Sequence, residues 1–344
     1  MVTKETILVV CPGRGTYNAP ELGYLARHHR GSDWLARFDA LRVGMGKEPL
    51  SALDGAEKFS PVHLRGDNAA PLIHACAYLD FLQLDRERFD VVAVTGNSMG
   101  WYTALACAGA VSPDHGFAIA DGMGVNSQKA LPGGQAVLVL AGEDWTVDPA
   151  LLHGVEAAMA RHGVHLSIRL GGMLVVAGAD AALDALEPDL PGLSRPPMRL
   201  AGHGPFHTAL MQASSDAARA QFPVDWFGRP ELPLIDGRGK VWRRFETAPQ
   251  DLWDYTFRHL VLEPYDFTAA MTVGIREFAP DRIVLLGPGE TLGGAIGQVL
   301  IALKWLDISS RNVFSERQGK DAFLIGMGRA SQPGKPDQRG IVIP

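Results

Sequence analysis

The sequence predicts an α/β fold with a parallel sheet, into which a smaller unit of short strands and helices is inserted. Two apolar runs, residues 6–11 and 89–95, predict the sheet, because each is long and continuous enough for a strand that is buried on both faces. A change of texture predicts the insertion, since shorter strand and helix units fill the chain between about residues 131 and 200.

The first strand leads into a tight loop and then into helices. Residues 6–11 end at Pro12-Gly13-Arg14-Gly15, whose glycines and proline stop a strand. Helix starts are indicated at Asn18, at Ser32 and at Asp67, each a residue type that caps helices. The second strand, residues 89–95, is followed by a sharp turn and an alanine-rich helix.

The middle of the chain reads as β-α-β-β-α-β, which is typical of a ferredoxin-like unit. After it, the chain returns to longer helices and strands that complete the large part, and a polar tail rich in Gly and Pro follows from about Ser315. We therefore expect a large α/β domain formed by residues 1–130 and 201–312, a ferredoxin-like subdomain of residues 131–200, and a loosely attached C-terminal extension of residues 313–344.

Composition excludes several classes of protein. The 344 residues are 47% hydrophobic and 20% charged, a balance typical of a soluble globular chain. The formal net charge of −6 and the absence of Lys/Arg clusters argue against a nucleic-acid partner. No stretch approaches the roughly 18 apolar residues of a membrane span, and no signal peptide precedes the first strand. We expect a cytoplasmic protein with no membrane partner.

The three cysteines predict neither a disulfide framework nor a metal site. Cys11, Cys76 and Cys107 are unpatterned and lie in apolar surroundings, which favours buried free thiols.

The turn after the second strand carries a candidate nucleophile. Gly96-Asn97-Ser98-Met99-Gly100 matches G-x-S-x-G, in which small neighbours permit a strained turn that exposes the serine hydroxyl. The strand before it and the helix after it are the context that this motif requires. The alternative, that Ser98 is only a helix N-cap, is weaker for that reason.

Serine needs a base, and the chain has 11 histidines. His203 and His207 stand where the inserted unit returns to the large part, and clefts between domains are favoured places for sites. The residues alone leave the choice between these two histidines open.

Five motifs in one order resemble the malonyl-CoA:acyl-carrier-protein transacylases. That family carries a PGQGSQ-like first loop, a GHSLGE-like elbow, a V-x-A-G strand, a PSHCALM-like histidine segment and a late GPG turn. The corresponding segments here, from near Thr6 to near Leu303, are Pro12-Gly13-Arg14-Gly15-Thr16-Tyr17, the Ser98 elbow, Val175-Val176-Ala177-Gly178, Pro205-Phe206-His207-Thr208-Ala209-Leu210-Met211 and Gly287-Pro288-Gly289.

The resemblance implies an α/β-hydrolase-like large domain, with the site in a groove beside the ferredoxin-like unit, and a serine-dependent S-acyltransferase. Ser98 is the implied nucleophile and His207 the base, oriented by the backbone carbonyl of His259. The backbone N–H groups of Arg14 and Met99 are the implied oxyanion hole. The implied partners are a coenzyme A thioester and an acyl carrier protein. No tightly bound cofactor and no metal are expected, and family members that stand alone suggest a monomer.

The expected selectivity residues depart from the family. Malonyl-transferring members carry an arginine that pairs with the malonyl carboxylate, and an ungapped match puts Met123 at that place. Asn97, Met173 and His203 are the other residues expected around the substrate pocket. An apolar Met123 facing a carboxylate would leave a charge unpaired, which favours an uncharged acyl group. The alternative is that Arg14 supplies the missing cation and a malonyl group is retained.

Three functions remain open at this stage. The leading hypothesis is acyl transfer from coenzyme A or a carrier thioester to an acyl-carrier-protein thiol, in fatty-acid, polyketide or another biosynthesis. The second is a hydrolase that clears acyl groups from the carrier, as related members without the arginine can do. The third is a non-catalytic scaffold that binds the carrier, which the presence of both Ser98 and His207 argues against.

Overall fold

The strands form two separate sheets. The structure, a computed structural model, describes residues 4–129 and 132–328. Its strands in chain order are β1 (Glu5–Cys11), β2 (Phe89–Gly96), β3 (Gly134–Val139), β4 (His165–Leu170), β5 (Met173–Gly178), β6 (Met198–Arg199), β7 (Leu234–Ile235), β8 (Val241–Trp242), β9 (Tyr265–Asp266), β10 (Arg282–Leu285) and β11 (Leu324–Gly326).

Helices flank both sheets. In chain order they are α1 (Tyr24–His28), α2 (Asp33–Gly44), α3 (Leu50–Asp54), α4 (Pro61–Leu64), α5 (Gly66–Leu82), α6 (Gly100–Cys107), α7 (Pro113–Lys129), α8 (Pro149–His162), α9 (Asp180–Leu186), α10 (Gln212–Gln221), α11 (Pro249–Asp254), α12 (Leu260–Leu262), α13 (Phe267–Phe278), α14 (Leu292–Leu303) and α15 (Arg311–Lys320). A π-helical segment, Tyr255–His259, joins α11 to α12. Within the described ranges, no helix has both the length and the apolar character that a bilayer span requires.

The large sheet has the order β11-β10-β1-β2-β7-β8, and all its pairs are parallel except β7 with β8. Its centre is β1 and β2, where the side chains of Ile7 through Cys11 are fully buried, as the continuous apolar run predicts. Cys11 pairs with Gly96 at the ends of these strands, so the first loop and the Ser98 turn leave the sheet side by side.

The small sheet has the order β6-β3-β5-β4-β9. Its first four strands, with α8 and α9, follow one another as β-α-β-β-α-β and pair antiparallel, which is a ferredoxin-like unit. The predicted fold class is therefore confirmed. The fifth strand, β9, comes from the later part of the chain and pairs parallel with β4 through Ile168 and Tyr265.

The chain after α15 returns to the large sheet. Strand β11 pairs parallel with β10, and Ile325 lies opposite Val284. The prediction of a loosely attached extension is therefore wrong up to residue 328. The signal was weak because only three residues form the strand and polar, Gly-rich sequence surrounds them. Residues 329–344 lie outside the described part, and the other predicted domain boundaries stay predictions.

Candidate active site

Ser98 occupies a strained turn between β2 and α6. Its φ is +55°, a left-handed conformation that side chains other than glycine seldom adopt. The turn is possible because Gly96 and Gly100, two residues to either side of Ser98, lack side chains. A Cβ atom on Gly96 would lie 2.5 Å from the Gly100 carbonyl carbon, and a Cβ atom on Gly100 would lie 2.3 Å from the carbonyl oxygen of Cys11. These contacts explain physically why the motif needs both glycines.

His207 lies against the Ser98 hydroxyl. The distance from His207 Nε2 to Ser98 Oγ is 2.7 Å, and His207 Nδ1 lies 2.6 Å from the backbone carbonyl oxygen of Leu260. A carbonyl can only accept, so Nδ1 carries the proton and Nε2 is left as the acceptor of the serine proton. The geometry therefore joins a nucleophile, a base and a group that orients the base.

The orienting carbonyl belongs to Leu260, one residue after the predicted His259. The carbonyl of His259 is taken by the backbone N–H of Glu263, at 2.9 Å. Leu260 lies in the last turn of a helix, where carbonyls have no partner inside the helix. The π-helical segment that ends at His259 also shifts the register, which an ungapped count along the sequence does not include.

Residues of the small sheet form hydrogen bonds with the segment that carries His207. Gln135 Nε2 donates to Ser167 Oγ at 2.6 Å, and Ser167 Oγ donates to the carbonyl of Phe206 at 2.9 Å. His203 Nδ1 lies 2.8 Å from Gln135 Oε1, so it donates to that oxygen. This buried chain of hydrogen bonds fixes the backbone that carries His207, whose own φ is +60°.

Burial sets the protonation of the base. Desolvation lowers the pKa of His207 to about 4, opposed by the hydrogen bond to the Leu260 carbonyl and reinforced by the charge of His259. The base is therefore neutral at pH 7. The lowered pKa of His207 also makes the free energy of unfolding depend on pH. The unfolded chain binds this proton at a higher pH than the folded protein does, so stability falls as the pH drops from about 6.5 toward about 4.

We expect the rate of Ser98 acylation to stay level from about pH 8 down to about pH 5 and to fall below that. The reason is that only neutral His207 can accept the serine proton. Rapid-quench measurement of the acyl-enzyme across this range checks the prediction, with circular dichroism at each pH to show that the protein stays folded. A midpoint near 6.5 would contradict a buried, neutral base.

The first loop brings Arg14 beside the elbow. The guanidinium Nη2 donates to the carbonyls of Leu64 at 2.8 Å and Gly202 at 3.1 Å, and the group lies 5.5 Å from the centre of the Phe206 ring. Its Nε is buried without a hydrogen-bond partner among the described residues. Burial lowers the pKa of Arg14 to about 10, which leaves it charged at neutral pH.

The loop also bears on the predicted oxyanion hole. A Cβ atom on Gly13 would lie 2.5 Å from the carbonyl oxygen of Asn97, so the loop and the elbow are in direct contact. Arg14, Ser98 and Met99 line the same pocket. Within the described ranges, the backbone N–H groups of Arg14 and Met99 have no hydrogen-bond partner. Their role as the oxyanion hole stays a prediction.

A small pocket extends from Ser98 between α7 and α10. Met123, predicted at the pocket, lines it and is 3% exposed. The wall also includes Tyr102, Ser127, Phe206, Met211, Ser214, Leu260 and Val261. The pocket is thus mainly apolar, and its polar side chains besides Ser98 and His207 are Arg14, Ser127, Ser214 and Tyr102 with its phenol hydroxyl.

Three residues predicted at the pocket are not among those that line it: Asn97, Met173 and His203. Met173 begins β5 and lines a different cavity together with Trp145 and Gln298. His203 is held by Gln135, as described above. The amide of Asn97 faces the first loop, near Gly13. Their assignment to the acyl pocket stays a prediction.

Comparison with known proteins finds similarity to acyltransferases. A malonyl CoA-acyl carrier protein transacylase of Mycolicibacterium smegmatis is 34% identical over 158 residues, which are 44% of this chain and 51% of that protein. MCAT from Mycobacterium tuberculosis, a solved structure, is 26% identical, with a TM-score of 0.70 over 86% of this chain and 93% of its own. The chain is similar in sequence and in fold to malonyl-CoA:acyl-carrier-protein transacylases. The curated match spans about half of that relative's length.

The fold of the transacylases extends over nearly the whole chain. The solved malonyl CoA-acyl carrier protein transacylase of Coxiella burnetii has a TM-score of 0.75 over 95% of each chain, at 18% identity. No family model matches the sequence. The low identity agrees with the departures at Met123 and in the first loop.

Several residues that line the pocket were not predicted from the sequence, although helical spacing from the predicted residues could have identified them. Ser127 follows Met123 by four residues on α7, so the two share a helix face. Met211 and Ser214 are three apart where α10 begins, just after the histidine segment. Tyr102 stands four residues after the nucleophile, at the start of α6.

Proposed function

We propose that the chain is a serine acyltransferase that moves an acyl group from a coenzyme A thioester to the phosphopantetheine thiol of an acyl carrier protein. The observation that carries the proposal is the 2.7 Å contact between Ser98 Oγ and His207 Nε2, with Nδ1 held by the Leu260 carbonyl. The transacylase relatives support it. A fixed tautomer and a serine in a strained elbow are what nucleophilic acyl transfer requires.

The first half-reaction loads the enzyme. Ser98 Oγ attacks the thioester carbonyl while its proton moves to His207 Nε2. The backbone N–H groups of Met99 and Arg14 donate hydrogen bonds to the negative charge that develops on the carbonyl oxygen. Backbone donors do not depend on the identity of the side chain. The intermediate then collapses, the C–S bond breaks, and the departing thiolate takes the proton from His207.

The second half-reaction unloads it. The carrier thiol gives its proton to His207 and attacks the acyl-serine carbonyl, so that a new C–S bond forms. The ester C–O bond to Ser98 then breaks, Ser98 Oγ takes the proton from His207, and the free enzyme is restored. The same histidine acts as base and then acid in each half, which suits a base whose orientation is fixed by a backbone group.

The acyl group of this proposal is uncharged. Met123 contributes an apolar surface to the pocket wall, and Arg14 Nη2 is already held by two backbone carbonyls. A carboxylate against Met123 would lose its hydration without gaining a partner, at a cost of several kcal/mol.

A second candidate is a malonyl group paired with Arg14. The favouring observation is that Arg14 Nε is buried without a hydrogen-bond partner and that Arg14 forms no ion pair among the residues described. The relatives are named as malonyl transacylases, which also supports this candidate.

Intact-mass spectrometry separates the candidates. We expect stoichiometric adducts on the wild-type protein from short uncharged acyl-CoAs, a weaker adduct from malonyl-CoA, and none on Ser98→Ala. A dominant malonyl adduct that Arg14→Gln abolishes would establish the second candidate. Addition of a holo acyl carrier protein should then discharge the adduct onto the carrier. Discharge to the free acid without a carrier would instead indicate a hydrolase, and no Ser98-dependent adduct from any donor would overturn the proposal.

A further inference from the structure

Ser214 carries a hydroxyl that the proposed mechanism does not use. The residue lies on α10 and lines the pocket that begins at Ser98. Its side chain is 5% exposed, and its Oγ is buried without a hydrogen-bond partner among the described residues. The hydroxyl of the next residue has a hydrogen-bond partner, because Ser215 Oγ donates to the carbonyl of Phe257 at 2.6 Å.

A buried hydroxyl without a partner destabilises the fold. It has lost its hydrogen bonds to water and gained none in return, so alanine at this position would be the more stable choice. Buried hydroxyls without a partner are rare in folded proteins, and a bound ligand can supply the missing hydrogen bond. The pocket in which Ser214 stands makes such a ligand available.

The second serine of the pocket provides a comparison. Ser127 Oγ donates to the carbonyl of Met123 at 2.6 Å, within its own helix. Its hydrogen is therefore used, whereas that of Ser214 is free for a group that enters the pocket. The two serines lie on α7 and α10, which pack against each other around the pocket.

We propose that Ser214 is a specificity-determining residue that hydrogen-bonds to an oxygen atom on the chain of the acyl group, such as a hydroxyl or keto oxygen. The proposal rests on the proposed function, because the acyl group enters the pocket as an ester of Ser98. The pocket wall is otherwise mainly apolar, so a short chain with one oxygen matches both its apolar surface and its free hydroxyl. An unsubstituted chain would leave Ser214 unpaired.

The test compares acylation by 3-hydroxybutyryl-CoA with acylation by butyryl-CoA. We expect the wild-type protein to prefer the hydroxylated donor, and Ser214→Ala to lower that preference by about 10-fold, because a site built to bond an oxygen discriminates against its absence. Acetoacetyl-CoA should behave like the hydroxylated donor. Ser215→Ala removes the neighbouring hydroxyl of α10, which donates to Phe257 and does not line this pocket, and should leave the preference unchanged.

Thermal unfolding adds a readout that does not depend on activity. Ser214→Ala should raise the melting temperature by about 2 °C, since it removes an unsatisfied group, and 3-hydroxybutyryl-CoA should protect the Ser98→Ala protein more than butyryl-CoA does. An unchanged preference in Ser214→Ala, with acylation intact, would overturn the role of Ser214 alone. Absence of any Ser98 adduct would overturn the proposed function itself.

Discussion

Replacing Ser98 by alanine is expected to lower acyl transfer by about 10⁴-fold or more, because no other group on the elbow can form the ester intermediate. The substitution removes one oxygen atom and adds no bulk, so the fold should persist. Steady-state transfer to a holo acyl carrier protein measures the loss, and the melting temperature shows that it is chemical in origin.

His207→Ala is the matched control for this result. If Ser98 and His207 act as one unit, the double variant should be no slower than either single variant, because their effects are not additive. Independent, multiplicative losses would mean that His207 does not activate Ser98. Transfer within 10-fold of wild type in Ser98→Ala would show that the acyl group does not pass through this serine.

Gly100→Ala is the second large effect that we expect. Its Cβ atom would lie 2.3 Å from the carbonyl oxygen of Cys11 and 2.7 Å from that of Pro12, and both are backbone atoms that cannot swing aside. The elbow must then separate from the first loop, at a cost of about 3 kcal/mol or more. Denaturant unfolding measures the stability, and acylation should be lost in the fraction that stays folded.

Gly294→Ala provides the control within another helix. Apart from its chain neighbours and the backbone of its own helix, nothing lies within 4 Å of a Cβ placed at Gly294, which is on α14. Alanine there should be neutral or stabilising by about 1 kcal/mol, because it lowers the entropy of the unfolded chain. Equal stability of the two variants would mean that the elbow and the loop are not in close contact.

The fold could be predicted from its long segments, whereas the short strands β9 and β11 were missed. β1 and β2 were readable because they are continuous apolar runs between glycine-rich turns. β9 and β11 have two and three residues, so they carry no periodicity, and their pairing is decided by contacts far away in the sequence.

Some residues of the site could be predicted from local motifs and others could not. Ser98 and His207 stand in local motifs, and the structure brings their side chains together. Leu260 was missed by one residue, since a π-helical turn changes the register. Met173, which was matched by its position at a strand end, lines another cavity.

Strand β9 has a mechanical consequence. Tyr265 pairs with β4 through its backbone, and its hydroxyl donates to the carbonyl of Gly96 at 2.5 Å. Tyr265 thus links the small sheet to Gly96, the residue at which the Ser98 turn begins. A hinge opening between the two sheets would have to break this hydrogen bond or the pairing of β9 with β4. Both contacts oppose a motion of the ferredoxin-like unit away from the elbow.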